Sequence, residues 1–402
     1  MSPAGGGAVG DRRVSGIDRA TAQELLETWR DLHRHPELAF DETRTAGVVA
    51  ERLRGLGLAV REGVGRTGVV ADLGGSGTTP NLLLSAEMDA LPLDEDPDRE
   101  LRSTRPGAMH ACGHDGHTAI LLAVAAELAR GEALPGIVRF LFRPAEEIGA
   151  GAEAMIQDGA LDGPSWEGAL ALHLRPFTTV GTIGICSGNA TAREGEFELH
   201  VGGTGGHGGR PHVSTDALLA AVEIVAAFQT LIPREVPALD PAVLSVCSFH
   251  AGTAANVMPD AAHIAGTVRT ASDDVYELLF RRMGEMATSI ARAFRCDAGL
   301  ERRDITPAVH NDDRMADLAR AAAGTVVGAD AVLEPEPVMA ANDIALIYDR
   351  VPGCYIFLGA AHDDGRPPAP NHSPGWEFDE RGLEIGASVL VDAVERFMRS
   401  VG

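Results

Sequence analysis

Between residues 68 and 173, short unbroken apolar runs alternate with segments of helical period. NLLLSAE (81–87) and GIVRFLF (136–142) have almost no polar face to leave in water. Such runs must be buried on both sides, as central parallel strands are. GVVADL (68–73) and GALALH (168–173) are of the same type. HTAILLAVAAELAR (117–130) and GAEAMIQDGAL (151–161) separate them and read as helices. Upstream, Leu25, Leu26, Trp29 and Leu32 predict a helix over 18–33, and a second runs from about Glu42 to Leu56, ended by Gly57. This βαβα order leaves few solutions. The expectation is an α/β fold whose mainly parallel sheet is covered by helices on both faces.

The pattern changes near Gly188. EGEFELHVGG (194–203) alternates like a half-buried strand, and STDALLAAVEIVAAFQTLI (214–232) reads as one long helix capped by Ser214 or Thr215. Strands at 242–252 and 263–270, a helix at 273–294 and a strand at 298–305 complete the order β-α-β-β-α-β of an open-faced α+β sandwich. From about Pro307 Ala-rich helices and the strand GCYIFLG (353–359) return. The expected organisation is a disordered leader over 1–16, a larger domain from 17–188 and 305–402, and a smaller domain inserted over 189–304. A chain of 402 residues accommodates this.

Charge removes two classes of partner. With 34 basic and 58 acidic residues the net charge is −24, which repels nucleic acid and anionic membranes. No apolar stretch reaches the length of a span. The first residues lack the apolar core of a signal peptide. Five dispersed cysteines suit a reduced, cytoplasmic thiol set rather than a disulfide framework.

The reactive residues gather where such a sheet binds ligands, beyond the carboxyl ends of its strands. NLLLSAEMDA delivers Glu87 and Asp89, GIVRFLFRPAEE delivers Glu146 and Glu147, and GALALH delivers His173. HACGHDGH places His110, Cys112, His114, Asp115 and His117 before a helix on the same rim. Thiolate, imidazole and carboxylate are zinc ligands, and imidazole with carboxylate also suits manganese, cobalt or nickel. Donors from distant segments indicate a catalytic rather than a structural ion. Of Glu146 and Glu147, one is free to bind metal and the other to take a proton from water. A single loop histidine is more often a surface residue than a ligand, and His310 and His362 are left as such. GGTGGHGG lacks the Lys-Ser/Thr of a phosphate loop.

LHRHPELAFDET, EMDALP, HACGHDGHTAILL, PAEE, GGHGGRPH, NVMPDAAHIAGTVRT and NHSPGWEFDE occur in this order from residue 32 to 380. Together they resemble the metal-dependent aminoacylase and carboxypeptidase family. The likeness is to its branch of hippurate hydrolases, N-acyl-amino-acid amidohydrolases and auxin-conjugate hydrolases. The resemblance implies Cys112, His114, Glu147, His173 and His372 as ligands of one or two divalent ions (Zn, Mn, Co or Ni). It implies Glu146 as general base and Asp89 as the residue that orients a ligand. His110 and His117 would hold the loop. The inserted domain would be a lid and dimerisation domain. Its His207 would stabilise the oxyanion, in relatives from the partner subunit, and Asn256 and Arg269 would line the substrate site. An ion pair on the strand face is an equal reading of Arg269.

The sequence departs from the family pattern in three places. Glu87 replaces an aspartate, Asn342-Asp343-Ile344 replaces Glu-Asp-Phe, and His114 stands where dinuclear relatives have a bridging aspartate. The implied reaction is hydrolysis of an N-acyl amino acid by metal-activated water, in a homodimeric cytoplasmic enzyme acting on a small molecule. Carboxypeptidase or dipeptidase action uses the same machinery. A hydrolase with Cys112 as nucleophile and His114 as base, and a non-catalytic binding protein, are the readings of other classes.

Overall fold

The computed structural model describes residues 16–75 and 80–400. The expected leader, apart from Gly16, lies outside the described residues. The chain divides into two compact units. The first comprises 1–187, 311–335 and 347–402, and the inserted unit comprises 188–310 and 336–346. The boundaries differ from the expected 189–304 chiefly in one respect. Residues 336–346 return to the inserted unit, where the Val338 N–H donates to Ala190 O and the Ala192 N–H donates to Ala340 O.

The first unit opens with α1 (Arg19–Arg34) and α2 (Thr43–Gly55). Asp18 caps α1, accepting from the Thr21 N–H at 2.7 Å. β1 (Ala59–Val64), β2 (Gly68–Gly74), β3 (Leu82–Glu87), α3 (His114–Arg130), β4 (Ile137–Arg143), α4 (Gly151–Gln157) and β5 (Gly168–Thr179) follow. Eight strands form one mixed, mainly parallel sheet. Its centre is β4-β3-β5 and the strand Gly353–Ala361, all mutually parallel. β1 and β2 are added antiparallel at one side. β1 was not evident in AVREGV because its residues are mostly exposed and carry no apolar face.

Every residue of β3 is buried, as its unbroken apolar run requires. α3 is buried on nearly all sides. It packs against α1, β3 and the last helix, Arg381–Arg399. This central helix begins at His114, three residues earlier than its apolar run suggests. Gly113 precedes it with φ +90°, a left-handed conformation that favours glycine. A Cβ there would lie 2.8 Å from Leu174 Cδ1.

The inserted unit has a four-stranded antiparallel sheet in the order Ala242–Ala251, Ala261–Thr270, Arg193–Gly202, Asp297–Thr306. The helices Ala217–Phe228 and Asp273–Ala293 supply the rest of its core. The order β-α-β-β-α-β therefore holds for its main elements. The expected single helix over 214–232 does not. It ends at Phe228, and a separate short helix, Leu231–Glu235, contains Pro233. Proline has no N–H to continue the ladder across that junction. Its cap is neither Ser214 nor Thr215 but Asp216, whose Oδ1 accepts from the Leu219 N–H at 3.0 Å. Thr215 instead pairs with Thr204.

Candidate active site

The carboxyl ends of the central strands carry the donors together within the first unit. His173 sits on β5 opposite Phe357 of the neighbouring strand. Its Nδ1–H donates to Leu174 O at 2.8 Å, which leaves Nε2 as a lone pair. That atom lies 3.4 Å from Cys112 Sγ. Burial, reinforced by His117, lowers the His173 pKa to about 3, so the ring is a neutral donor.

His114 is oriented from behind. Its Nδ1 lies 3.0 Å from Asp89 O and 3.2 Å from Asp89 Oδ1. The buried Nε2 has no hydrogen-bond partner and faces Glu146 Oε2 at 3.7 Å and Glu147 Oε1 at 3.8 Å. Asp89 also fixes Glu147, whose backbone N–H it accepts at 2.9 Å through Oδ2. On the other side, His372 Nε2 stands 3.3 Å from Glu147 Oε2. His372 has φ +63° and its N–H donates to Ala111 O, so the loop carrying it is tied to the Cys112 segment.

Cys112, His114 and His173 thus bring donor atoms within 4.8 Å of one another. The same is true of Cys112, Glu147 and His372, and of His114, Glu146 and Glu147. The three groups share Cys112, His114 and Glu147.

The electrostatics fit a cation. Burial pushes the Cys112 thiol up, with Glu147 adding to it. Burial also raises both Glu146 and Glu147, and neighbouring carboxylates raise Glu146 further. His114 moves the other way. Burial disfavours its charged form, but Asp89, Cys112 and Glu147 overcome this and raise it well above the usual imidazole value. A cation among these groups would favour their charged forms. Two orphaned buried atoms, His114 Nε2 and Glu147 Oε1, face one another where an ion would satisfy both. The thiolate, imidazole and carboxylate set fits zinc, and its imidazole and carboxylate members fit manganese, cobalt or nickel.

Two supports lie beneath the cluster. His117 Nε2 accepts from the Leu174 N–H at 3.0 Å, so its Nδ1–H donates to Glu87 at 2.9 Å. Glu87 is also bound by Arg143 at 2.6 Å, both side chains fully buried. Arg143 and His117 outweigh burial and hold Glu87 well below the usual carboxylate range. His33 spans Asp115 at 2.7 Å and Glu95 at 3.1 Å. Burial would lower His33, but those two bonds prevail and raise it to about 9. His110 is buried with neither ring nitrogen hydrogen-bonded, and burial lowers it to about 4.

Sequence reasoning missed Arg143, His33 and Asn371. The arginine that closes the buried strand IVRFLFR was the available signal for Arg143. Asn371, beside His372, directs Nδ2 at Cys112 Sγ across 3.6 Å.

The remaining expected residues belong to the inserted unit. His207 is exposed and pairs with Val257, and the Gly208 N–H donates to Asn256 O. Arg269 is engaged by Glu194 at 2.6 Å and donates to Met339 O at 3.1 Å, which is the ion-pair arrangement. Asn342, Asp343 and Ile344 are buried, and Asn342 Oδ1 accepts from the Ile344 N–H at 2.9 Å.

The stereochemistry at Gly113 sets a first expected result. Gly113→Ala imposes a left-handed alanine at a cost of about 1–2 kcal/mol, before its clash with Leu174. It displaces Cys112 and His114 together. A lowered melting temperature and reduced metal retention after gel filtration check this; unchanged retention would contradict it.

The profile of Peptidase family M20/M25/M40 matches residues 83–396. The chain is 34% identical over 379 residues to the N-acetyl-L-cysteine deacetylase of Bacillus subtilis (strain 168), covering 94% of this chain and 89% of that protein. It is 33% identical over 368 residues to thermostable carboxypeptidase 1 of Saccharolobus solfataricus, covering 90% and 92%. Among solved structures, the Bacillus subtilis YXEP protein, described as a dinuclear metal-binding peptidase of the M20 family, superposes with a TM-score of 0.83. The identity there is 30%, over 96% of this chain and all of that one. The oriented donors at the carboxyl ends of the sheet thus sit within a likeness that spans nearly the whole chain, and the protein belongs to peptidase family M20/M25/M40.

Proposed function

We propose that the protein is a metal-dependent amidohydrolase that cleaves the amide bond of N-acyl amino acids. The observation that carries this reading is the pair of orphaned buried atoms, His114 Nε2 and Glu147 Oε1, set within a ring completed by Cys112, His173 and His372. These five residues would hold one or two divalent ions (Zn, Mn, Co or Ni). Such an ion supplies a Lewis acid that polarises the acyl carbonyl and lowers the pKa of water.

The chain's own groups do the rest. Glu146 is buried, which raises its pKa, and the family resemblance assigns it as base rather than ligand. A carboxylate at that place can take the proton from the attacking water. The same carboxyl then delivers that proton to the leaving amine as the carbon–nitrogen bond breaks. Asp89 holds His114 and the Glu147 backbone in place throughout. His207, assigned from the family resemblance, would donate to the oxyanion, with the inserted unit as lid and dimerisation domain. Asn256 and Arg269 would line the substrate site, and Arg269 would pair with the substrate's α-carboxylate after exchange with Glu194.

Carboxypeptidase action is the nearest second reading, favoured by the likeness to the thermostable carboxypeptidase. A Cys112 nucleophile is disfavoured by burial, which pushes its thiol up and away from thiolate. Chelation separates the classes. Prolonged dialysis against a strong chelator should abolish hydrolysis of N-acetyl and N-benzoyl amino acids, and adding back Zn²⁺, Mn²⁺, Co²⁺ or Ni²⁺ should restore it. Activity that survives complete metal removal would overturn the proposal.

A further inference from the structure

The inserted unit carries a second set of donors that the hydrolytic reading does not use. In the strand Arg193–Gly202, Phe197, Leu199 and Val201 face the helices, so Glu198 and His200 point to the open face of the sheet. His263, on the neighbouring strand, stands in direct register with His200. The two imidazoles stack at 4.6 Å with an interplanar angle of 28°. Both aim Nε2 at the same oxygen, Glu198 Oε2, at 3.1 Å from His263 and 3.7 Å from His200.

An ordinary surface hydrogen bond accounts for His263 but not for His200, since 3.7 Å is beyond hydrogen-bond range. Tetrahedral coordination at bond lengths of about 2.0–2.1 Å sets neighbouring donors about 3.3 Å apart. The two observed separations bracket that value, and the donors of all three residues lie within 4.8 Å of one another. Direct cross-strand register holds the two rings together without any loop. His250 lies opposite His263 on the next strand, so a third imidazole continues the row.

We propose that Glu198, His200 and His263 form a surface site for a divalent transition-metal ion of the zinc, nickel and copper class. Two imidazoles and one carboxylate select such ions over Mg²⁺ and Ca²⁺, which take oxygen ligands. The three residues are substantially exposed, so remaining coordination positions are open to solvent and the site is weaker than an enclosed one. It requires none of the hydrolytic donors, and its success or failure is independent of the amidohydrolase proposal.

The test is equilibrium dialysis of the full chain against Ni²⁺ and, separately, Mg²⁺. Wild type, H200N/H263N and E198Q are compared. The double variant should bind one Ni²⁺ fewer per chain than wild type, E198Q should weaken that site, and Mg²⁺ should show no difference. Hydrolytic activity should be unchanged in all three. Equal Ni²⁺ stoichiometry in wild type and double variant would overturn the proposal.

Discussion

Glu146→Gln lowers kcat by about 10²–10⁴-fold and leaves metal content unchanged. Glutamine keeps the shape of Glu146 at the end of β4 but cannot accept the proton of the attacking water. The ring of Cys112, His114, Glu147, His173 and His372 does not need it. Rate and metal stoichiometry measured on one preparation separate the two roles of the adjacent carboxylates. A parallel fall in bound metal would make Glu146 a ligand, and a kcat within about threefold of wild type would remove it from catalysis.

Arg143→Met destabilises the first unit by about 3–5 kcal/mol, the usual loss when one member of a buried ion pair is removed. Arg143 and Glu87 are both fully buried and 2.6 Å apart. Removing the guanidinium leaves Glu87 with His117 but without its buried cation. Denaturant unfolding of the metal-free protein measures the loss. The double variant E87Q/R143M should recover much of it, because no charge then needs the pair. A single-variant loss below about 1 kcal/mol would show that the pair is not needed for the fold. The same change disturbs the path from Glu87 through His117 to Leu174 and His173, so metal affinity should fall as well.

These two cases show what the sequence exposed and what it hid. Glu146 and Glu147 were legible because they follow an apolar strand, and any carboxylate there must lie on the binding rim. Cys112 and His114 were legible from their proximity. His372 was not legible by spacing. It enters the cluster only because its loop folds back on Ala111, and only the family resemblance pointed to it. Arg143 was hidden because an arginine in an apolar run reads as a tolerated exception until its partner, far away in sequence, is seen. The start of α3 at His114 was hidden for a related reason. Asp115 and His117 are polar yet buried, hydrogen-bonded to His33 and Glu87, so the apolar period began too late to mark the first turn. The return of 336–346 to the inserted unit depends on pairing with residues near Thr191, which no local pattern encodes.

The central claim is tested most directly by kcat/KM for N-acetyl, N-benzoyl and long-chain N-acyl amino acids beside a matched set of dipeptides. The enzyme is first stripped of metal and then restored with one divalent ion at a time. The account predicts no turnover without metal and, once restored, cleavage of at least one N-acyl amino acid in preference to every dipeptide. Turnover independent of metal, or preference for dipeptides under every ion, would contradict it.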